Sequence, residues 1–144
     1  MVDQKQVNSV NPVSDSLVED IENNYPEERF VFTANTRFAD SWWFMFRANW
    51  WGSHYDERGE INGEFGNRSK KLDPLTYIDL ELGWDITENW NVTLGGSNVL
   101  DEYPDKIRAG GQYANRISVG LPYPRRTVTG YEGGSWYLRT SYNF

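Results

Sequence analysis

The sequence predicts an all-β fold, an antiparallel meander of about five long strands, and three observations carry it. Period-two alternation recurs along the chain. Short three-residue turns separate some of the alternating stretches and long polar connections separate others. No run of about 18 apolar residues supplies a transmembrane helix. The pattern is clearest from Thr76 to Ile86. There the even positions hold Thr76, Ile78, Leu80, Leu82, Trp84 and Ile86, and the odd ones Tyr77, Asp79, Glu81, Gly83 and Asp85. Successive side chains of a strand point to opposite faces, so one face is oily and the other acidic, a division that no helix produces.

Residues 29–38 form the first predicted strand, with Phe30, Phe32, Ala34 and Phe38 on one face and Arg29, Thr33, Asn35 and Arg37 on the other. A turn over 39–41 leads to a strand over 42–55, where Trp42, Phe44, Phe46, Ala48 and Trp50 share a face opposite Trp43, Met45, Arg47, Asn49 and Trp51. Residues 56–74, rich in Gly, Asn and charge, read as a long loop. The strand over 75–86 follows, then a turn over 87–89 and a strand over 90–99. A long glycine-rich connection over 101–134 has a candidate short strand at 115–121. The last strand runs over 135–144. Three-residue turns make the pairing sums even. They predict Phe38 opposite Trp42, Thr36 opposite Phe44, Ile86 opposite Trp90, and Trp84 opposite Val92. Arg37 then falls opposite Trp43, a cation–π geometry.

Composition narrows the function classes. The chain has 144 residues, 38% of them hydrophobic, with seven Trp, nine Tyr and seven Phe, a load that suits membrane girdles or a sugar-binding platform. Cysteine is absent, which excludes disulfides and thiolate metal sites. Residues 1–28 carry seven acidic side chains against one Lys, net −6 of the chain's −7. This segment reads as an acidic polar loop or disordered segment. No basic stripe points to nucleic acid.

No catalytic constellation is present, and no enzyme activity or cofactor is expected. Asp79, Glu81 and Asp85 share a face, as acid/base or Ca²⁺-binding carboxylates do. Arg29, Arg37, Arg47 and Arg139 occupy the corresponding polar faces, so charge pairing is the plainer explanation. The single histidine, His54, at the start of a loop, reads as a surface residue.

The order of connections, short then long then short then long, is that of an outer-membrane barrel with tight turns at one end and long loops at the other. Phe38, Trp42, Trp84, Trp90 and Phe144 fall at the short-turn ends and Phe30, Trp50 and Trp136 at the opposite ends, as two aromatic belts around an apolar band.

Two stretches carry a family resemblance. Asn98-Val99-Leu100-Asp101-Glu102-Tyr103-Pro104 resembles the Asn-Leu-Phe-Asp-x-x-Tyr type of motif in the C-terminal barrel region of TonB-dependent outer-membrane receptors, through Asn98, Leu100, Asp101, Tyr103 and Pro104. The ending Trp136 to Phe144 resembles that family's last strand, with Trp136, Leu138, Tyr142 and the terminal Phe144 corresponding to the signal read by the barrel-assembly machinery. The resemblance covers roughly residues 25–144. It implies that 29–144 are C-terminal strands of a transmembrane β-barrel of about 22 strands, located in the bacterial outer membrane. Such a receptor takes up a siderophore, cobalamin or an oligosaccharide.

Five strands do not close a membrane barrel, and the polar N-terminus has no signal-peptide pattern. The expectation is therefore the C-terminal piece of a longer precursor, whose missing plug contacts the TonB complex. Partners implied for this piece are outer-membrane lipid, the assembly machinery and a small-molecule ligand. Trp51, Tyr55, Arg108 and Tyr113, at or beyond the long-loop strand ends, are the candidate ligand contacts. Two other readings exist: a soluble β-sheet carbohydrate-binding module using Trp43, Trp50, Trp51 and Trp136, and a different outer-membrane protein such as a porin or enzyme barrel.

Overall fold

The computed structural model describes residues 18, 21–56, 70–106, 123 and 127–144. They form seven strands: β1 (Arg29–Phe38), β2 (Trp42–Trp51), β3 (His54–Asp56), β4 (Lys70–Leu72), β5 (Leu75–Thr87), β6 (Trp90–Ser97) and β7 (Ser135–Tyr142). The described residues group into two compact units, one drawn from 29–51, 75–103 and 132–144 and the other from 1–28, 52–74 and 104–131.

The first unit is a five-stranded sheet in the order β1-β2-β5-β6-β7, every neighbouring pair antiparallel, with β1 and β7 as open edges. The predicted meander is thus present. The first hairpin has the expected register, with Phe38 opposite Trp42, Thr36 opposite Phe44 and Thr33 opposite Arg47. Its turn places Ala39 and Asp40 at φ of 50° and 53°, a conformation that costs an alanine roughly 1–2 kcal/mol. Bonds hold it there: Ser41 N and Oγ both donate to Ala39 O, and Arg37 Nη1 donates to Asp40 O.

The second hairpin departs from expectation. Trp84 faces Val92 and Leu82 faces Leu94, but the ladder shifts between Asp85 and Thr87, so that Thr87, not Ile86, pairs with Trp90. The bulge absorbs one residue and leaves a two-residue turn at Glu88 and Asn89. Asn143 N donates to Asn89 O at 2.9 Å, so the C-terminus ends beside this turn. Both short turns and Phe144 therefore lie at one end of the sheet. The chain leaves the sheet for its long connections, after Trp51 and after Ser97, at the other.

The second unit corrects four readings. The strand predicted over 42–55 ends at Trp51, and after Gly52 and Ser53 the chain enters β3. The predicted loop over 56–74 contains β4, paired antiparallel with β3 through His54–Leu72 and Tyr55–Lys71. His54 is 5% exposed, not a surface residue, because its strand packs in this small ladder with Leu72, itself 1% exposed. Gly52 N bonds Glu28 O at 2.9 Å, Asp73 N bonds Asp105 Oδ2 at 2.9 Å, and Tyr123 stacks on Tyr131 with centroids 5.5 Å apart. Residues 21–23, in the segment read as a loop, are helical. The candidate strand at 115–121 lies outside the described residues.

Candidate functional site

The candidate site is the five-stranded sheet itself, whose two faces differ in chemistry and in solvent exposure. Register places side chains in rows across the strands. The even-numbered face has the rows Phe38-Trp42-Trp84-Val92-Thr140, Thr36-Phe44-Leu82-Leu94-Leu138 and Ala34-Phe46-Leu80-Gly96-Trp136. Below these lie Phe32-Ala48-Ile78 and Phe30-Trp50-Thr76. This oily face is exposed along its length: Phe30 is 65% and Leu138 73% accessible, and Phe32, Phe38, Leu82, Trp84, Leu94 and Trp136 are exposed too, while the opposite face is exposed on the edge strands β1 and β7 and more covered between them. A contiguous apolar face of this extent marks a surface with an apolar partner.

Aromatic rings lock the ends of this face. Phe38, Trp42 and Trp84 stack in sequence, with centroids 6.5 and 5.2 Å apart and planes 19° and 3° from parallel. Tyr142 meets Phe144 edge-on at 5.2 Å, and Trp90 Nε1 donates to Thr140 Oγ1 at 2.9 Å. At the far end Phe30 and Trp50 are 5.4 Å apart. Trp136, grouped with these two by its position at a strand end, occupies the row of Phe46, two rows in from Trp50.

The odd-numbered face is polar and tightly satisfied. Asp79 accepts from Asn49 Nδ2 at 3.0 Å, Ser97 Oγ at 3.1 Å and Asn98 N at 2.9 Å. Glu81 accepts from the Tyr137 hydroxyl and pairs with Arg139 at 3.7 Å. Asp85 pairs with Arg37 at 3.0 Å and accepts from Asn91 Nδ2 at 2.7 Å, and Asn91 Oδ1 accepts from Thr93. Arg47 Nε donates to Thr33 Oγ1 at 3.3 Å. The expected pairing with arginine is thus present for Asp85, with Arg37, and for Glu81, with Arg139, while Asp79 is held by neutral donors, Arg47 bonds Thr33 and Arg29 lies over Trp51. Arg37, opposite Trp43 in the backbone register, extends its guanidinium to Asp85 two strands away.

Packing on this face relies on glycine. A Cβ at Gly83 would fall within the indole of Trp43, and one at Gly95 within the ring of Tyr137. Each ring occupies the space above the glycine directly opposite it, covering backbone that no side chain of its own protects. Met45, 7% exposed, and Thr93, 0% exposed, are buried alongside.

The heptad 98–104 begins as a hydrogen-bonded corner at the end of β6. Asn98, 2% exposed, takes φ of 49°, which asparagine tolerates better than most residues. Its side chain brackets Glu102, Nδ2 donating to Glu102 O at 2.8 Å and Oδ1 accepting from Glu102 N at 3.1 Å. Val99 N donates to Ile78 O and Asp101 N to Asn98 O, both at 2.8 Å. Asp101, at φ of 57°, accepts the Gly134 N–H at 2.8 Å, just before β7. Gly133 has φ of 66°, and the Tyr103 hydroxyl occupies the space its Cβ would need. Asn98, Asp101 and Tyr103 thus join the end of β6 to the entry of β7, while Leu100 is exposed and Pro104 buried.

Of the four candidate ligand residues, Trp51 and Tyr55 are among the described residues, one in each unit. Trp51 lies at the end of β2, edge-on to Tyr77 at 5.5 Å and beneath the Arg29 guanidinium at 5.4 Å. Tyr55 belongs to the other unit, where it lines a cavity of about 370 Å³ with Tyr25, Glu27, Glu28, Ser53 and Lys71. Arg108 and Tyr113 lie outside the described residues. The tryptophans of the sugar-platform reading divide between faces, Trp43 and Trp51 on the polar one and Trp50 and Trp136 on the apolar one.

Comparison of the chain with models of known protein families, with curated protein sequences and with solved structures returns no match in any of the three.

Proposed function

We propose that this chain is the C-terminal barrel-wall portion of a TonB-dependent receptor in the bacterial outer membrane, one that takes up a scarce nutrient such as a siderophore, cobalamin or an oligosaccharide. The observation that carries the reading is the inversion of the sheet. Its apolar face is exposed and ends in aromatic rings, while its polar face is internally hydrogen-bonded and, on the inner strands, packed around Met45, Gly83, Thr93 and Gly95. Lipid against the first face and a hydrated lumen behind the second satisfy both. The open edges β1 and β7 continue into the remaining strands of a barrel of about 22, and the plug that engages the TonB complex lies elsewhere in the precursor. In this role the chain contributes wall, external loops and, through Trp136, Leu138, Tyr142 and Phe144, the signal for the assembly machinery. Trp51, Tyr55, Arg108 and Tyr113 then belong to the external vestibule that meets the ligand. The carbohydrate-module alternative loses force because its four tryptophans do not share a face.

Fractionation of cells expressing the chain in its natural reading frame tests the proposal. The expected result is co-sedimentation with outer membrane and resistance to extraction by urea at alkaline pH. Recovery in the soluble fraction, monomeric without detergent, would refute it.

A further inference from the structure

The second unit holds a cavity of about 370 Å³ whose walls come from residues 23–28, residues 52–55 and Lys71. Two backbone features build it. The Gly52 N–H bonds Glu28 O and ties the first stretch to the second. In the β3–β4 ladder Tyr55 is opposite Lys71 and His54 opposite Leu72. Cross-strand partners share a face and successive residues alternate between faces. His54 and Leu72, 5% and 1% exposed, therefore form the covered side of the ladder, and Tyr55 and Lys71 line the cavity from the other. The lining is polar throughout, with no Leu, Ile, Val, Phe or Trp among the described residues. Its only rings are the phenols of Tyr55 and of Tyr25, which is 74% exposed. On the sheet Asp79, Glu81 and Asp85 are each held by neighbouring side chains. Here no hydrogen bond or ion pair joins the side chains of Tyr25, Glu27, Glu28, Ser53, Tyr55 and Lys71 to one another or to other described residues. Their hydrogen-bonding capacity is open to a ligand.

Resting on the receptor reading above, in which Tyr55 belongs to the vestibule, we infer that this cavity binds a neutral saccharide of one or two rings. The lining decides between ligand classes. Glu27 and Glu28 against Lys71 leave the cavity net negative, which disfavours an anionic ligand. Lys71 in turn repels a cationic one. An apolar ligand finds no aliphatic wall to bury against, and a volume near the small end of the roughly 300–1,000 Å³ of ligand sites is too small for a molecule the size of cobalamin. A sugar uses every group present. Its vicinal hydroxyls donate to a glutamate carboxylate in charge-assisted bonds, the Lys71 ammonium donates to a ring or hydroxyl oxygen, and Ser53 serves as either donor or acceptor. The C–H face of the ring rests against a phenol, whose body is apolar and whose hydroxyl is polar.

The test uses the protein from its natural reading frame, in a detergent without a sugar headgroup. Saturation-transfer NMR is run with glucose, galactose, maltose, cellobiose and lactose as neutral probes, spermidine as the cationic probe and gluconate as the anionic one. The expected result is transfer to at least one neutral saccharide. Its affinity should fall about tenfold in Glu27→Gln and in Tyr55→Ala and stay unchanged in Arg37→Ala, a substitution on the sheet. Glu27→Gln keeps the shape of an exposed side chain and removes only its charge, so a loss there reads recognition rather than folding. Binding of spermidine or gluconate in place of the saccharides, saccharide binding indifferent to both cavity variants, or no binding of any probe would each overturn the assignment. Such a result in a protein that fractionates with outer membrane leaves the receptor reading intact. Saccharide binding that falls in Glu27→Gln, in a protein recovered soluble without detergent, would remove the receptor reading and keep the cavity's ligand.

Discussion

Replacing Gly83 by alanine tests the packing of the polar face, because the sign of its effect depends on one neighbour. A Cβ at Gly83 collides with Cε2, Nε1 and Cζ2 of Trp43, rigid atoms that yield only if the whole indole swings away. Overpacking of this kind costs about 1–3 kcal/mol. Against it stands the gain of about 0.5–1 kcal/mol from replacing glycine by alanine within a strand. Gly83→Ala should therefore destabilise the sheet by about 1–2 kcal/mol. In a Trp43→Ala background the collision is gone and only the gain remains, so the same substitution should stabilise by about 0.5 kcal/mol. The double-mutant cycle then shows a coupling of about 2 kcal/mol. Urea titration in detergent micelles, followed by the circular dichroism of the sheet, reads these differences as midpoint shifts of about 0.2–1 M. Gly83→Ala effects of equal sign and size in both backgrounds would show that Trp43 does not cover Gly83.

The same titration checks three further expectations. Asn98→Ala removes both bonds to Glu102 from a buried corner at positive φ and should cost about 2–4 kcal/mol; an effect below 0.5 kcal/mol would contradict the role given to the corner. Tyr137→Phe, which leaves the ring over Gly95 but removes the hydroxyl bonded to Glu81, should cost about 1 kcal/mol, well below the loss for Tyr137→Ala. Arg37→Ala breaks an ion pair whose arginine side chain is 65% exposed, and should change stability by less than about 0.5 kcal/mol; a loss above 2 kcal/mol would mean the pair is buried in the assembled protein.

Much of the sheet was legible because its information is local. The alternation from Thr76 to Ile86 set the faces, and the spacing of Phe38 and Trp42 set the first register. What the sequence hid depends on neighbours distant along the chain. Alternation runs unbroken through Ile86, so the pairing of Thr87 with Trp90 appears only when two strands are laid side by side. Trp51 and Tyr55 read as one strand because both suit β structure, and the break at Gly52 and Ser53 follows from the separate ladder of β3 with β4. That ladder also buries His54. That Arg37 reaches Asp85 rather than another carboxylate of the stripe follows only once β5 lies beside β2. The heptad was visible as a motif, but its bracketing of Glu102 and its hold on Gly134 depend on backbone angles that residue types do not disclose.

The central claim is that even-numbered side chains face lipid and odd-numbered ones face water. Since the chain contains no cysteine, nitroxide labels placed singly at successive positions from 77 to 85 of β5, in membranes from the natural reading frame, measure it directly. Collision with oxygen, which concentrates in lipid, should peak at Ile78, Leu80, Leu82 and Trp84. Collision with a water-soluble nickel chelate should peak at Asp79, Glu81 and Asp85. Uniform chelate access along the strand, or the two profiles in phase, would contradict the account.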